Sequence, residues 1–414
     1  MPHPMPSPRS LERNVSVLKL MNFLWMFIVL MPVIVPYFGQ LGLTDGEVFE
    51  VQAIFGLSVV LLEVPTGYVS DLVGRRGCLI LAGVLHGIAF SLLVFVRGFW
   101  GVVIFEVVAA LGVCLFSGTD VALLYDSLEA LGQESARRGA LGLRLFWMQA
   151  GETAAALMGG WLALMGLSEV AIGNAIVGWL PLAAALCLVE VPLKRMDHGG
   201  HLQNFSEIRR VLFTQSPLVR RVLMALVAYG LATLLAVWAF QGFWAYLQID
   251  VLWFGYLWAG YNLTVAIVGR LAHRVEARLG VPKTIIGIAF LPVIGYASMG
   301  LLAAQVGPQP SLAGAVIGVL LGLFFQLGRG LTQVLLKDEL NQRVAPSMRA
   351  TANSISSLGV RLGYAIYGPI LGHLIDSQGY ATAFASTSGM FVIVAVVIAL
   401  PLAANLRPME RPCE

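Results

Sequence analysis

Long apolar runs separated by short polar breaks dominate this chain. They fall near residues 17–38, 48–69, 78–96, 99–124, 143–165, 169–192, 218–244, 251–272, 284–304, 311–336, 350–375 and 381–404. Each is close to the roughly twenty residues that a helix rising about 1.5 Å per residue needs to cross a hydrocarbon core of about 30 Å. In lipid a helix satisfies its own backbone N–H and C=O groups, so runs of this length predict helices. The pattern predicts an all-α membrane protein of twelve transmembrane helices. One long polar break, residues 194–217, divides them six and six. The expected organisation is a tail at 1–16, a six-helix bundle at 17–193, a linker at 194–217, a second bundle at 218–404 and a tail at 405–414.

Composition changes this picture little. With 58% hydrophobic and 12% charged residues and a mean hydropathy of +0.82, the chain is too apolar to expose an ordinary water-soluble surface. The net charge of +3 is informative through its distribution. Arg75, Arg76, Arg137, Arg138, Arg343, Arg349 and most other loop cations fall on one side of the assignment, and Arg97 on the other. By the positive-inside rule both termini are expected in the cytoplasm, with the protein in the cytoplasmic membrane. No small-residue cleavage site follows the first apolar run, which therefore reads as a helix and not a signal peptide. Cys78, Cys114, Cys187 and Cys413 show no metal-binding spacing and are expected as free thiols. Asp197, His198 and His201 open the long break; a flexible linker explains them better than a metal site.

The most specific motif lies between the second and third runs. Gly67, Asp71, Gly74, Arg75 and Arg76 follow the order Gly, three residues, Asp, two residues, Gly, then two cations. Gly67 permits close helix approach, Asp71 ends an apolar run, and Arg75 and Arg76 mark a cytoplasmic loop. Asp71 and Arg75 are spaced to pair with each other or with neighbouring helix ends. A weaker echo, Gly269 to Arg274 with Gly280 beyond, follows the eighth run, with His273 in place of the acid. This arrangement resembles the signature loop of the major facilitator superfamily of secondary transporters. The stretch from Arg349 through Gly368-Pro369 to Asp376 is also similar to that family's eleventh helix.

The resemblance implies two six-helix bundles related by a pseudo-twofold axis. It also implies a central cavity lined mainly by the first, fourth, seventh and tenth helices, and alternating access by rocking of the halves. Two features depart from the family pattern. Glu106 stands where many proton-coupled members carry arginine, and Ala155-Ala156 precedes Gly159-Gly160 where antiporters usually show Gly-Pro. Both count against antiport.

Ionisable residues inside the apolar runs need a reason, because a charge in hydrocarbon is costly unless it meets water or a partner. On the fourth run Glu106, Val113, Ser117 and Asp120 share one face at helical spacing, which places Glu106 and Asp120 toward a cavity. Asp126 lies on nearly the opposite face and is assigned to the gate with Arg75. Asp120 can equally serve a structural ion pair with Arg144 or Arg361. Glu63 is assigned to the cytoplasmic gate, and Glu152 is a proton-site candidate or a helix-packing hydrogen-bond partner. Gln326, Arg329 and Gln333 form a polar stripe on the tenth run, with Arg361 on the eleventh. Arg329 either compensates a carboxylate or recognises an anionic group. Trp238 and Gln241 share a face of the seventh run, whereas Trp253 and Trp258 read as interfacial anchors.

No metalloprotease, nucleophile-elbow or phosphate-loop motif appears in a credible context, so an enzyme is not expected. The expected function is secondary transport of a small molecule, coupled to protons, with efflux of an amphipathic compound preferred. Uptake of a polar metabolite and a non-transporting sensor remain as alternatives. Expected partners are the substrate, protons and the lipid bilayer. No cofactor, metal or nucleic acid is expected, and the protein is expected to be a monomer.

Overall fold

The computed structural model of the protein describes residues 6–192, 217–306, 311–345 and 348–406, except for the side chains of Val64, Gly67, Tyr68, Ser70, Asp71, Leu72, Arg138 and Ala350. The break at 194–217, with Asp197, His198 and His201, lies outside the described residues up to Pro217, as does Cys413. Every regular element among the described residues is helical. The chain forms two compact units, one of Met1–Thr44, Val51–Asp197 and Val251–Ala259, the other of Asp45–Glu50, His198–Asp250 and Gly260–Glu414. The units therefore do not follow the expected bundle limits at two helix ends. Asp45–Glu50 belongs with the second unit and Val251–Ala259 with the first.

The first unit contains α1 (Pro8–Trp25), a 3₁₀ turn at Met31–Val33, α2 (Ile34–Gln40), most of α3 (Asp45–Val73), α4 (Arg75–Phe95) and α5 (Gly98–Phe116). It continues with α6 (Thr119–Ala130), α7 (Arg137–Leu162), α8 (Leu167–Val177) and α9 (Leu180–Leu186). Helix α1 starts earlier than the apolar pattern predicts. Ser7 accepts a hydrogen bond from the Ser10 N–H at 3.4 Å and Pro8 supplies the fixed φ of a first helical residue. Residues 8–16, expected in a tail, are helical instead. Buried Asn14 fastens them, donating to Val189 O at 2.9 Å and Ser127 Oγ at 3.2 Å and accepting from Val189 N at 2.9 Å.

Three expected spans are broken, at Met26–Leu30, Ser117–Gly118 and Gly178–Trp179. Gly118 adopts φ 83°, a conformation that a residue with a Cβ enters only with strain. The breaks gather around buried His86. Its Nδ1–H donates to Gly178 O at 2.8 Å, its ring lies 4.6 Å from that of Trp25, and Trp25 stacks at 4.0 Å on Phe116. The Leu30 N–H freed by the first break donates to Asn174 Oδ1 at 3.2 Å. Helix α7 passes α1 on a stripe of small residues, Gly151, Ala155 and Gly159; a Cβ at Gly151 would fall on Phe23 O, and one at Gly159 on Val29 O.

The second unit contains α10 (Pro217–Tyr246), most of α11 (Leu252–Leu279), α12 (Val281–Val306), α13 (Leu312–Leu331), a π-helical stretch Thr332–Leu336 and α14 (Lys337–Arg343). Then come α15 (Arg349–Val394), interrupted by non-helical Gly379, a second π-helical stretch Ala395–Ala399, and α16 (Leu400–Asn405). The echo motif at Gly269–Arg274 lies inside α11, which runs on to Leu279, so it is not a loop after the eighth helix. The correspondence is one of glycines: Gly74 (φ 81°) separates α3 from α4 and Gly280 (φ 80°) separates α11 from α12.

Seven described stretches are helices long and apolar enough to cross a membrane, the last of them, Thr351–Asn405, containing the Gly379 break. This is fewer than the twelve expected: the last stretch joins two expected spans, α1 carries Arg9, Glu12, Arg13 and Lys19, the described side chains of α3 include Asp45, Glu47, Glu50 and Glu63, and α7 and α11 interleave their apolar residues with polar, glycine and aromatic ones. Large apolar side chains stand exposed along the helices, including Phe95 at 80% and Leu312 at 84%. Such surface is stable against lipid and not against water.

Candidate functional site

The charged junction after α3 is built by a carboxylate that the sequence reading did not single out. Glu190, just past α9, accepts the Arg75 N–H at 2.9 Å and the Arg76 N–H at 2.8 Å, satisfying the first free donors of α4. The Arg76 guanidinium donates to Leu188 O at 2.7 Å, closing the clip from the other side. Gly74 is needed where the chain turns, since a Cβ there would lie 3.0 Å from the Glu190 carboxyl. Arg75 pairs through Nε with Asp126 Oδ2 on α6 at 2.5 Å. The backbone of Gly67 and Asp71 is helical, and their side chains lie outside the description. Glu63 is exposed, one turn before Gly67 and ahead of Pro65.

A second polar group sits at the α5–α6 break. Asp120, in the first turn of α6, pairs through Oδ2 with Arg144 Nε on α7 at 2.5 Å. Its other oxygen, Oδ1, is buried and has no hydrogen-bond partner among the described residues. Glu106 does not share its face. The turn at Ser117–Gly118 resets the helical register, so the continuous stripe read from Glu106 through Val113 and Ser117 to Asp120 is not formed. Glu106 is instead buried against α3, where its Oε1 accepts from Gln52 Nε2. Both carboxylates are enclosed by protein, Glu106 at 4% and Asp120 at 1% exposure.

Glu152 on α7 accepts from Trp258 Nε1 and from Gln149 Nε2, both at 3.1 Å. Trp258 is therefore not an interfacial anchor: it is 7% exposed and its indole N–H is committed to that carboxylate. Trp253, by contrast, is exposed and lies 5.8 Å from the Tyr256 ring.

In the second unit, Trp238 is half-buried on α10 and Gln241 is buried. On α13, Gln326 is buried with Oε1 unpartnered, and half-buried Arg329 makes no hydrogen bond or ion pair among the described residues. Gln333 falls in the π-helical stretch, outside the regular register of α13. Arg361 is half-buried on α15. A third acidic group joins the start of α3 to the Gly379 break of α15. Asp376 Oδ2 accepts the Gly46 N–H at 3.0 Å, and Asp45 Oδ2 accepts the Tyr380 hydroxyl at 2.7 Å. Asp45 precedes the apolar part of α3, and burial pushes its carboxyl above the ordinary range, with Tyr380 opposing and Asp376 adding to the rise. Neither Asp45 nor Tyr380 was singled out from the sequence, because they are 335 residues apart and no local pattern links them. No cluster of three potential metal ligands occurs among the described residues.

Helices of this length and apolar surface define an integral membrane protein. Residues 17–345 match the family profile described as Major Facilitator Superfamily, and the chain belongs to that superfamily. It is a transporter, with a small-molecule substrate and a lipid bilayer as its surroundings, and not an enzyme. No curated protein matches the sequence. Among solved structures, the nucleoside transporter NupG is similar at 13% identity and a TM-score of 0.78, covering 95% of this chain and 100% of that one. A bacterial homologue of the human lysosomal transporter Spinster, in an inward-facing, unoccupied conformation, gives 16%, 0.69, 98% and 100% in the same order. A D-xylose–proton symporter gives 16%, 0.65, 93% and 97%. Likeness at these identities is likeness of fold.

Proposed function

We propose that the protein is a proton-coupled secondary transporter, working by alternating access, that exports an amphipathic small molecule across the cytoplasmic membrane. The observation that carries the coupling is the Asp120–Arg144 pair with its unpartnered, buried Oδ1 beside the α5–α6 break. A carboxylate with one oxygen held by arginine and the other free has a place for a proton. Taking it up would weaken the pair, and the neighbouring break gives the helix a point at which to respond. Glu106 with Gln52, and Glu152 with Trp258, are the other proton-site candidates, each held by one neutral donor group or two. Arg75–Asp126 and the Glu190 clip are assigned to the cytoplasmic gate, together with Glu63, Gly67 and Asp71.

In this reading twelve spans form two six-helix bundles. The broken pairs α1–α2, α5–α6 and α8–α9 each count as one span, and α15 counts as two, divided at Gly379. Both termini face the cytoplasm and the protein acts as a monomer. The test is flux in proteoliposomes under an imposed pH gradient, using cationic, neutral and anionic fluorescent amphipathic dyes. Gradient-driven movement of at least one dye is expected, lost in Asp120→Asn while downhill exchange persists. Gradient-driven movement unchanged in Asp120→Asn, Glu152→Gln and the double variant would refute proton coupling through these groups. Binding without flux would favour a sensor.

A further inference from the structure

The arginines of the membrane-spanning helices are not equivalent. Arg144 is neutralised by Asp120 at 2.5 Å, whereas Arg329 makes no ion pair or hydrogen bond among the described residues. The nearest acids on its own polypeptide run are already engaged: Asp338 accepts from Gln342 at 2.6 Å, and Glu339 pairs with Arg343. A guanidinium in such a helix must meet water, a counter-ion or a ligand, because hydrocarbon solvates it poorly.

The direction of the side chain excludes lipid. At about 100° per residue, Arg329 lies roughly 180° around α13 from Leu320 and roughly 120–140° from Val316 and Ile317. Those three are 45–55% exposed and mark the lipid face. Arg329 instead lies within roughly 20° of Gly318 and Gly322, glycines that let α13 approach Leu247 and Tyr261. Tyr261 belongs to an aromatic group with Phe240 and Trp244, at ring separations of 5.0 and 5.6 Å. One turn from Arg329, Gln326 presents a second unpartnered polar group, its Oε1 buried and unbonded. A cation without a counter-ion among the described residues and an amide with a free oxygen thus lie one turn apart on the inward side of α13, and the aromatic group meets the same side about two turns away, where Tyr261 packs at Gly322.

We propose that Arg329 binds the anionic group of the transported molecule, a carboxylate carried on an aromatic or otherwise apolar body. The inference rests on the transport reading above and gives the substrate its charge. A carboxylate suits the site because a guanidinium offers two parallel N–H donors that match its two oxygens. Gln326 then serves a hydroxyl or N–H adjacent to that carboxylate.

The test uses the full-length protein in nanodiscs and two probes that differ only in charge, naphthalene-2-carboxylate and naphthalene-2-carboxamide. Binding is read by tryptophan fluorescence and by thermal shift. The wild type is expected to bind the carboxylate at least about tenfold more tightly than the carboxamide, the worth of one charge-assisted contact. Arg329→Gln should abolish that preference, and Arg329→Lys, which keeps the charge if the neutral variant folds poorly, should retain part of it. Equal binding of the two probes, binding of neither, or an undiminished preference in Arg329→Gln would overturn the proposal. So would loss of the preference when phosphatidylglycerol replaces part of the phosphatidylcholine, since the anion would then be a lipid headgroup. Flux of the same probes separates this proposal from the transport reading. A charge preference without flux refutes transport alone, and flux of both probes that ignores Arg329→Gln refutes the anion site alone.

Discussion

Removing one member of the Asp120–Arg144 pair should have unequal consequences depending on which member goes. The Asp120 side chain is 0% exposed and that of Arg144 is 17% exposed, so the acid has no access to water whereas the base retains some. Arg144→Gln strands a carboxylate that already has one unsatisfied oxygen, and an uncompensated buried charge costs about 3–5 kcal/mol. Asp120→Asn leaves a guanidinium that can turn toward water and keep a neutral oxygen as acceptor, a cost of about 1–3 kcal/mol. The double variant Asp120→Asn/Arg144→Gln restores two neutral groups that can hydrogen-bond, so it should be more stable than Arg144→Gln alone, with a coupling of about 2 kcal/mol. Arg137→Gln, which breaks an ion pair with side chains 34% and 61% exposed, serves as the control and should cost about 0–1 kcal/mol. The assay is thermal unfolding of purified protein in one detergent, followed by tryptophan fluorescence and by the soluble monodisperse fraction. The stability order should run wild type and Arg137→Gln, then Asp120→Asn, then Arg144→Gln, with the double variant above the last. If Asp120→Asn is as damaging as Arg144→Gln, or if the double variant shows the sum of the two losses, burial does not set the energetics of this pair.

The remaining predictions address packing, topology and pH. Gly151→Ala and Gly159→Ala should each destabilise by about 1–3 kcal/mol, because the added methyl meets a carbonyl of α1 at Phe23 or of the break after it at Val29. Gly142→Ala on the same helix, with nothing within 4 Å, should be neutral or stabilise by about 1 kcal/mol or less; equal effects at all three sites would dismiss the close α1–α7 contact. Cysteines placed at Gln133 and Met165, in a background lacking the native thiols, should react with an impermeant reagent from opposite sides of the membrane. Labelling of both from one side would refute the topology. The raised Asp45 carboxyl keeps its proton to higher pH in the folded state than its ordinary value of 3.8. Its contribution to stability is therefore complete below that value and is lost as pH rises through the folded one. Asp45→Asn should accordingly be more stable than wild type at about pH 8, with the difference vanishing toward about pH 4. A constant difference across that range would show that Asp45 does not titrate abnormally.

Apolar run lengths determined the class of this protein by themselves, since a segment of that length and composition has no stable environment but lipid and no stable backbone there but a helix. The Gly67 to Arg76 spacing was likewise enough to point to the superfamily, because the motif is local and its cations mark a loop. Helix continuity was not legible. The breaks at Met26–Leu30, Ser117–Gly118 and Gly178–Trp179 lie within runs of unbroken hydrophobicity, and they persist because His86 donates to the freed Gly178 carbonyl, Asn174 accepts the freed Leu30 N–H, and Trp25 packs against His86 and Phe116. Partner choice was equally invisible: Glu190 caps α4, Gln52 holds Glu106, and Trp258 holds Glu152 across sequence separations that no periodicity encodes. A sequence can show that a charge sits in a membrane helix, because the cost is set by composition alone. Whether the charge is neutralised, as Asp120 is by Arg144, or without an ion pair among the described residues, as at Arg329, depends on which side chains the packing brings within hydrogen-bonding distance. That is decided only by the tertiary structure.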